Sequence, residues 1–201
     1  MAALEKKEVT ASGLLGKLSA FRMQKVEPPM SDQSRQMTPE EAAEFAEQVF
    51  NKAREGDAEM MGKLLSGGLP PNLRNHKGDT LLMLAAYHGH VDTVKVLLEH
   101  KADPEIRNDN GQSPIAGAAF KGDLAVVEAL VEGGAQVEGS SFDGRTALMM
   151  AAMFNRVKIV DYLISKGADP KAKDANGVSA LDAAKTMGAV DTTAQLQKLL
   201  G

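Results

Sequence analysis

The chain contains no cysteine and no tryptophan, and only two Tyr and six Phe among 201 residues. Without cysteine there are no disulfides, no thiolate metal sites and no thiol nucleophile, a usage that suits a reducing compartment. So few aromatics cannot line a large enzyme pocket or fill a β-sandwich, so the core has to come from small and aliphatic side chains. No apolar run approaches the roughly 18–20 residues that a membrane span requires. A formal charge of −4, from 23 basic and 27 acidic residues, provides no long-range attraction to nucleic acid or anionic lipid. The 43% hydrophobic and 25% charged fractions are ordinary for a globular protein.

What the chain does contain is a period. Gly78, Gly111, Gly144 and Gly177 stand 33 residues apart. Laying 76–108 over 142–174 gives 12 identities in 33, against roughly two expected by chance. Asn110-Gly111, Asp143-Gly144 and Asn176-Gly177 are tight-turn dipeptides. Two residues after each glycine, Thr80, Ser113, Thr146 or Ser179 is placed to cap a helix. A short apolar helix follows, carrying the pairs Ala85-Ala86, Ala118-Ala119 and Ala151-Ala152, where small side chains let neighbouring helices approach. Gly89, Gly122 and, in their place, Asn155 are expected to end that helix in a left-handed residue. A second helix is predicted from Val91, Val94, Leu97, Leu98 and from Val157, Val160, Leu163, Ile164. Lys101-Ala102-Asp103-Pro104, Gly134-Ala135 and Gly167-Ala168-Asp169-Pro170 close the units.

Taken together, Gly-x-Thr-x-Leu-x-x-Ala-Ala, Gly-His, Val-x-x-Leu-Leu and Gly-Ala-Asp at this spacing resemble the ankyrin repeat, over about residues 41–201. The resemblance implies an all-α solenoid of helix-turn-helix units joined by short β-hairpin loops, with full repeats at 75–107, 108–140 and 141–173. The family's Thr-Pro-Leu-His becomes Thr80-Leu81-Leu82-Met83, Ser113-Pro114-Ile115-Ala116 and Thr146-Ala147-Leu148-Met149, so its histidine network is missing. Residues 38–74 form an N-terminal cap that opens on Thr38-Pro39-Glu40-Glu41, a helix-start signature. Residues 174–201 form a C-terminal cap in which Asp182, Lys185, Thr192 and Gln195 are expected on a polar outer face. Met60, Met61, Met83, Met149 and Met150 are expected in the core.

Residues 1–37 stand outside the period. Leu14, Leu15, Leu18 and Phe21, with Lys17, Arg22 and Lys25 off their face, suit an amphipathic helix over 13–25. The segment reads as a loosely attached extension, a docking helix or a targeting signal, and Glu5 and Glu8 argue against organelle import. Met30 is an alternative start.

Chemistry has little support. His88 and His90 flank a glycine and do not share a helix face, so no metal or other cofactor is expected. No nucleophile motif or phosphate loop is present. The chain is therefore read as non-catalytic, with hydrolase or metalloenzyme the remotest alternative. The positive feature lies after each Ala pair, where Tyr87-His88, Phe120-Lys121 and Met153-Phe154 recur at the period, joined by Phe142 at a hairpin tip. In the geometry implied by the resemblance these line one concave face, flanked by Lys77, Asp79, Asn110, Gln112 and Arg145, with Asp109 and Asp143 beside them. One reading is a stripe that binds another protein; the other packs Tyr87, Phe120 and Met153 against the next unit. Mixed flanking charge points to a protein rather than nucleic acid. The expectation is a monomeric cytoplasmic interaction module, with the nucleus also open to it if the source is eukaryotic. The alternative is an adaptor whose specificity lies in 1–29.

Overall fold

The computed structural model describes residues 38–201. The expectations for the N-terminal extension, including the helix over 13–25, lie outside the described residues. Ten helices are present among the described residues. They pair in chain order: α1 (Pro39–Glu55) with α2 (Ala58–Ser66), α3 (Leu81–Tyr87) with α4 (Val91–Glu99), and α5 (Pro114–Lys121) with α6 (Leu124–Glu132). The last two pairs are α7 (Ala147–Met153) with α8 (Val157–Ser165) and α9 (Ala180–Thr186) with α10 (Val190–Leu200). First helices pack on first helices (α1, α3, α5, α7, α9) and second helices on second helices, in two layers. Between the pairs, hairpin loops carry the isolated antiparallel bridges Arg74–Thr80, Ser140–Thr146 and Lys173–Ser179. The result is an all-helical solenoid.

Each local signal has a visible cause. The Thr80, Ser113, Thr146 and Ser179 hydroxyls accept from Met83, Ala116, Met149 and Asp182 N–H at 3.1, 3.4, 3.3 and 3.2 Å, satisfying donors that the helix start leaves free. Thr38 and Glu41 form a reciprocal capping box at the start of α1. Gly144 sits at φ +81°, and an added Cβ there would lie 3.0 Å from the Ala175 backbone nitrogen, so both conformation and space require glycine. Asn155 takes the expected left-handed place at φ 58°.

The core is a column of small and aliphatic residues. Ala85, Ala86, Ala118, Ala119, Ala151 and Ala152 are fully buried between successive first helices, and Val94, Val126, Leu130, Val160 and Leu163 seal the second layer against them. Met61, Met83 and Met149 are buried as expected, but Met60 is exposed, because α2 has no preceding unit to cover that side.

The C-terminal cap also departs from expectation. Asp182 and Lys185 face outward, but Thr192 is fully buried and Gln195 half-buried. Both turn inward to satisfy carbonyls of the preceding unit. The Thr192 hydroxyl donates to Ala152 O at 2.7 Å, and the Gln195 amide donates to Val157 O at 3.1 Å and to Asp161 at 2.6 Å. Asn155 completes the clamp, accepting from Thr192 N–H at 3.0 Å and donating to Asp191 at 2.8 Å. Polar side chains here dock the cap instead of facing water.

Two substitutions test the backbone reading in opposite directions. Lys101 adopts φ 67° where the equivalent Gly134 and Gly167 adopt 98° and 96°, so Lys101→Gly should raise stability by about 0.5–1 kcal/mol as the left-handed strain of a Cβ is relieved. Gly144→Val should lower it by about 1–3 kcal/mol. Chemical denaturation of both variants checks the pair, and an unchanged midpoint in either contradicts the assignment.

Candidate functional site

The hairpins hold their shape through one side chain per turn. Asn75 Oδ1 accepts from the N–H groups of Lys77 and Asp79, both at 2.9 Å, and Asn108 Oδ1 from those of Asn110 and Gln112 at 3.1 and 2.9 Å. Asp174 does the same for Asn176 and Val178, at 2.8 and 2.9 Å, and the Ser141 hydroxyl accepts from Arg145 N–H at 3.1 Å. Adjacent hairpins are then bonded to each other, Asp109 N–H to Lys77 O at 3.1 Å and Ala175 N–H to Asp143 O at 2.9 Å. The Asn108 amide bridges Asp79 and Gln112, at 2.9 and 3.1 Å. Asn75, Asn108 and Ser141 were not singled out from the sequence, although they stand, like Asp174, three residues before each periodic glycine.

Between the hairpins and the first helices runs a groove of about 680 Å³. Of the residues singled out in the sequence, Lys77, Asp79, Tyr87, His88, Asn110, Gln112, Phe120 and Arg145 line it, together with Arg54, His76, Met83, Asn108, Asp143 and Met150. Tyr87, the last residue of α3, is 41% exposed and lies parallel to Phe120 with centroids 6.3 Å apart. Phe120 in turn meets Phe154 edge-on at 4.5 Å, and both are half-buried. The three units thus contribute one aromatic ladder, Tyr87–Phe120–Phe154. The Lys121 ammonium sits 5.0 Å from the Tyr87 ring centroid, a cation–π contact. Met153 does not join the ladder; it lines a smaller depression of about 190 Å³ with Met149, Asp174 and Met187. Phe142 stands away from the groove lining at its hairpin tip, 71% exposed, with its ring against Gly111, where any Cβ would collide with it.

Second-helix starts couple the units behind this face. His90 holds the Arg54 carbonyl at 2.7 Å through Nε2, which must therefore carry the proton, and the Arg156 guanidinium donates to Phe120 O at 3.3 Å. Arg156 thereby anchors the backbone of a ladder residue.

Charge on the face is unevenly spent. Asp79 accepts from the amides of Asn75 and Asn108, at 3.2 and 2.9 Å, and Asp109 pairs with Arg74 at 3.1 Å. Asp143 accepts from the Ser141 hydroxyl, which with the neighbouring Arg145 holds its carboxyl below the usual carboxylate range. Partial burial pushes the His88 imidazole below its ordinary value, and His90, Lys121 and Arg54 push the same way. Among the described residues no group of three or more His, Asp or Glu could hold a metal ion, and no helix is long and apolar enough to cross a membrane.

The sequence matches the family described as ankyrin repeats (three copies) over residues 49–141 and 118–198, about three quarters of the chain. The chain belongs to the ankyrin-repeat family. It is also similar to a Pseudomonas aeruginosa protein named as an ankyrin repeat protein, with 56% identity over 67 residues, 33% of this chain and 39% of that protein. The chain thus spans about two fifths of that relative's length. Ankyrin repeats are generally protein-interaction modules, and proteins of the family are typically non-catalytic.

The His88 environment gives a pH prediction with a definite sign. Its folded pKa lies below the unfolded value of about 6.5, so between the two the unfolded chain binds more protons and stability rises with pH. The His88 contribution is complete above pH 6.5 and is lost as the pH falls through that window. An imidazole NMR titration should place His88 below 6.5; a midpoint above it contradicts the assigned environment.

Proposed function

We propose that this chain is a non-catalytic interaction module that binds a partner protein through its concave face, with the Tyr87–Phe120–Phe154 ladder as the floor of the site and Phe142 as an anchor at its rim. The observation that carries the reading is the ladder itself. Aromatics are scarce in this chain, yet three meet in a row across three units and a fourth stands on a hairpin tip, without being needed to fill the alanine-lined core. Partly exposed aromatics in contact supply large apolar area at little side-chain entropy cost, which is the character of binding hot spots. The hairpin-to-hairpin bonds hold the face ready, so little ordering entropy is lost on association. On this reading residues 38–201 act as one monomeric unit, with 38–74 and 174–201 as caps, in a cytoplasmic setting that suits the lack of cysteine.

Tyr87 and Phe142 are the cleanest probes, since Phe120 and Phe154 also pack on each other. The double variant Tyr87→Ser/Phe142→Ser should melt within a few degrees of the parent, because neither residue belongs to the buried core. Affinity capture from the native cell extract should lose the proteins that the parent retains. Full retention by the folded double variant would place the binding site elsewhere.

A further inference from the structure

The helix that opens the stack is built differently from the others. α1 runs 17 residues, whereas α3, α5, α7 and α9 run seven or eight. Its C-terminal end matches theirs: Ala53 stands one period before Ala86, both fully buried, and Gly56 one period before Gly89, both left-handed. The extra turns therefore project from the N-terminal end, the end at which hairpins deliver the chain to every later first helix. Thirty-seven residues precede Thr38 there, and the sequence pattern sets Leu14, Leu15, Leu18 and Phe21 on one helical face. Between Glu8 and Glu27 the chain carries Lys17, Arg22 and Lys25 and no acidic residue, whereas residues 38–201 hold 17 basic and 23 acidic residues, a formal −6. The groove begins on α1 itself, at Arg54, and continues over Tyr87 and Phe120. Met187, Val190 and Leu199 are also exposed, but they belong to the last helix pair, four helix spacings or about 35–40 Å from α1.

We infer that the Leu14–Phe21 stretch of this chain is an intramolecular occupant of the groove, its leucines and Phe21 laid on Tyr87 and Phe120, and that a partner protein must displace it. The inference rests on the concave-face reading proposed above and adds its regulation. Reach is not limiting. The path from Pro39 to the groove runs about 23 Å along α1 to Arg54, and one helix spacing of about 8–10 Å further to Tyr87. The seventeen residues from Phe21 to Thr38 span up to about 60 Å. A tether that reaches its site presents its end at an effective concentration in the mM range. A segment whose separate affinity is only of mM order thus fills the groove about half of the time. That is weak enough for a partner to displace, and it raises the partner's apparent Kd about twofold. Opposite net charges favour the contact at short range and make it weaken with added salt.

The test uses the full chain, whose lack of cysteine makes a single introduced thiol unique. Ala20→Cys, off the apolar face, is labelled with a nitroxide, and backbone amide NMR signals are compared before and after the radical is reduced. The expected result is paramagnetic broadening at 76–88 and 109–121, with α4, α6 and α8 unaffected. Adding Leu14→Ser/Leu18→Ser/Phe21→Ser should abolish that broadening, while the array's own signals report that it stays folded. The same triple variant, unlabelled, should bring down about twofold more of the proteins that the parent captures. Broadening that is absent, falls on the second helices or the last pair, or survives the triple substitution would overturn the inference. So would broadening that passes only between chains in a mixture of nitroxide-labelled and isotope-labelled protein, or capture that stays unchanged or falls. Tyr87→Ser/Phe142→Ser separates this inference from the reading of the face. Broadening at the groove with full capture by that double variant removes the face as the partner site. No broadening, with capture lost in the double variant, keeps the face and removes the intramolecular occupant.

Discussion

Every other feature of this protein depends on how closely the first helices approach. A pair of seven- to nine-residue helices cannot bury its own apolar side, so each unit is stable only against its neighbours. The contact is made by alanine. With Ala85-Ala86, Ala118-Ala119, Ala151-Ala152 and Ala183-Ala184 at the seam, backbones come near enough for hydrogen bonds to pass between units at the hairpins, and the larger residues of the second helices close the column from behind. A bulkier seam would splay the hairpins and break the Lys77–Asp109 and Asp143–Ala175 links.

The same spacing creates the candidate site. Tyr87 and Phe120 lie one period apart in the last turns of first helices, while Phe154 is one residue past the period, at the C-cap of another, and its ring still meets Phe120. Arg156 reaches back 36 residues to the carbonyl of Phe120, tying one rung of the ladder to the next unit. The polar network does comparable work at the tips, where side-chain amides, a hydroxyl and guanidinium groups hold the hairpin carboxylates in place.

Much of this was legible in the sequence because a period converts residue type into position. Glycine at 33-residue intervals, a hydroxyl two residues later and an alanine pair after that defined turn, cap and seam without any structure, and the aromatics after the pairs marked the candidate face. The misreadings came from judging side chains by type alone. Thr192 and Gln195 are polar and were expected outside, yet a helix capping a stack needs donors for the carbonyls of the unit beneath it. Asp79 and Gln112, read as flanking charge and polarity for a partner, also accept from the amides that shape the turns, Asn75 and Asn108 for Asp79 and Asn108 for Gln112. Met153 and Phe154 were equivalent candidates in sequence, and only the direction of the chain as it leaves α7 puts Phe154 on the ladder.

The central claim is that one face of the stack, formed by hairpins and first helices, is the surface used in recognition. Amide hydrogen exchange of the full chain with and without a captured partner tests this directly. The account predicts new protection concentrated at 76–88, 109–121 and 142–154, with the second helices α4, α6 and α8 unchanged. Protection that falls instead on those second helices, with the hairpins and the ladder unaffected, would contradict it.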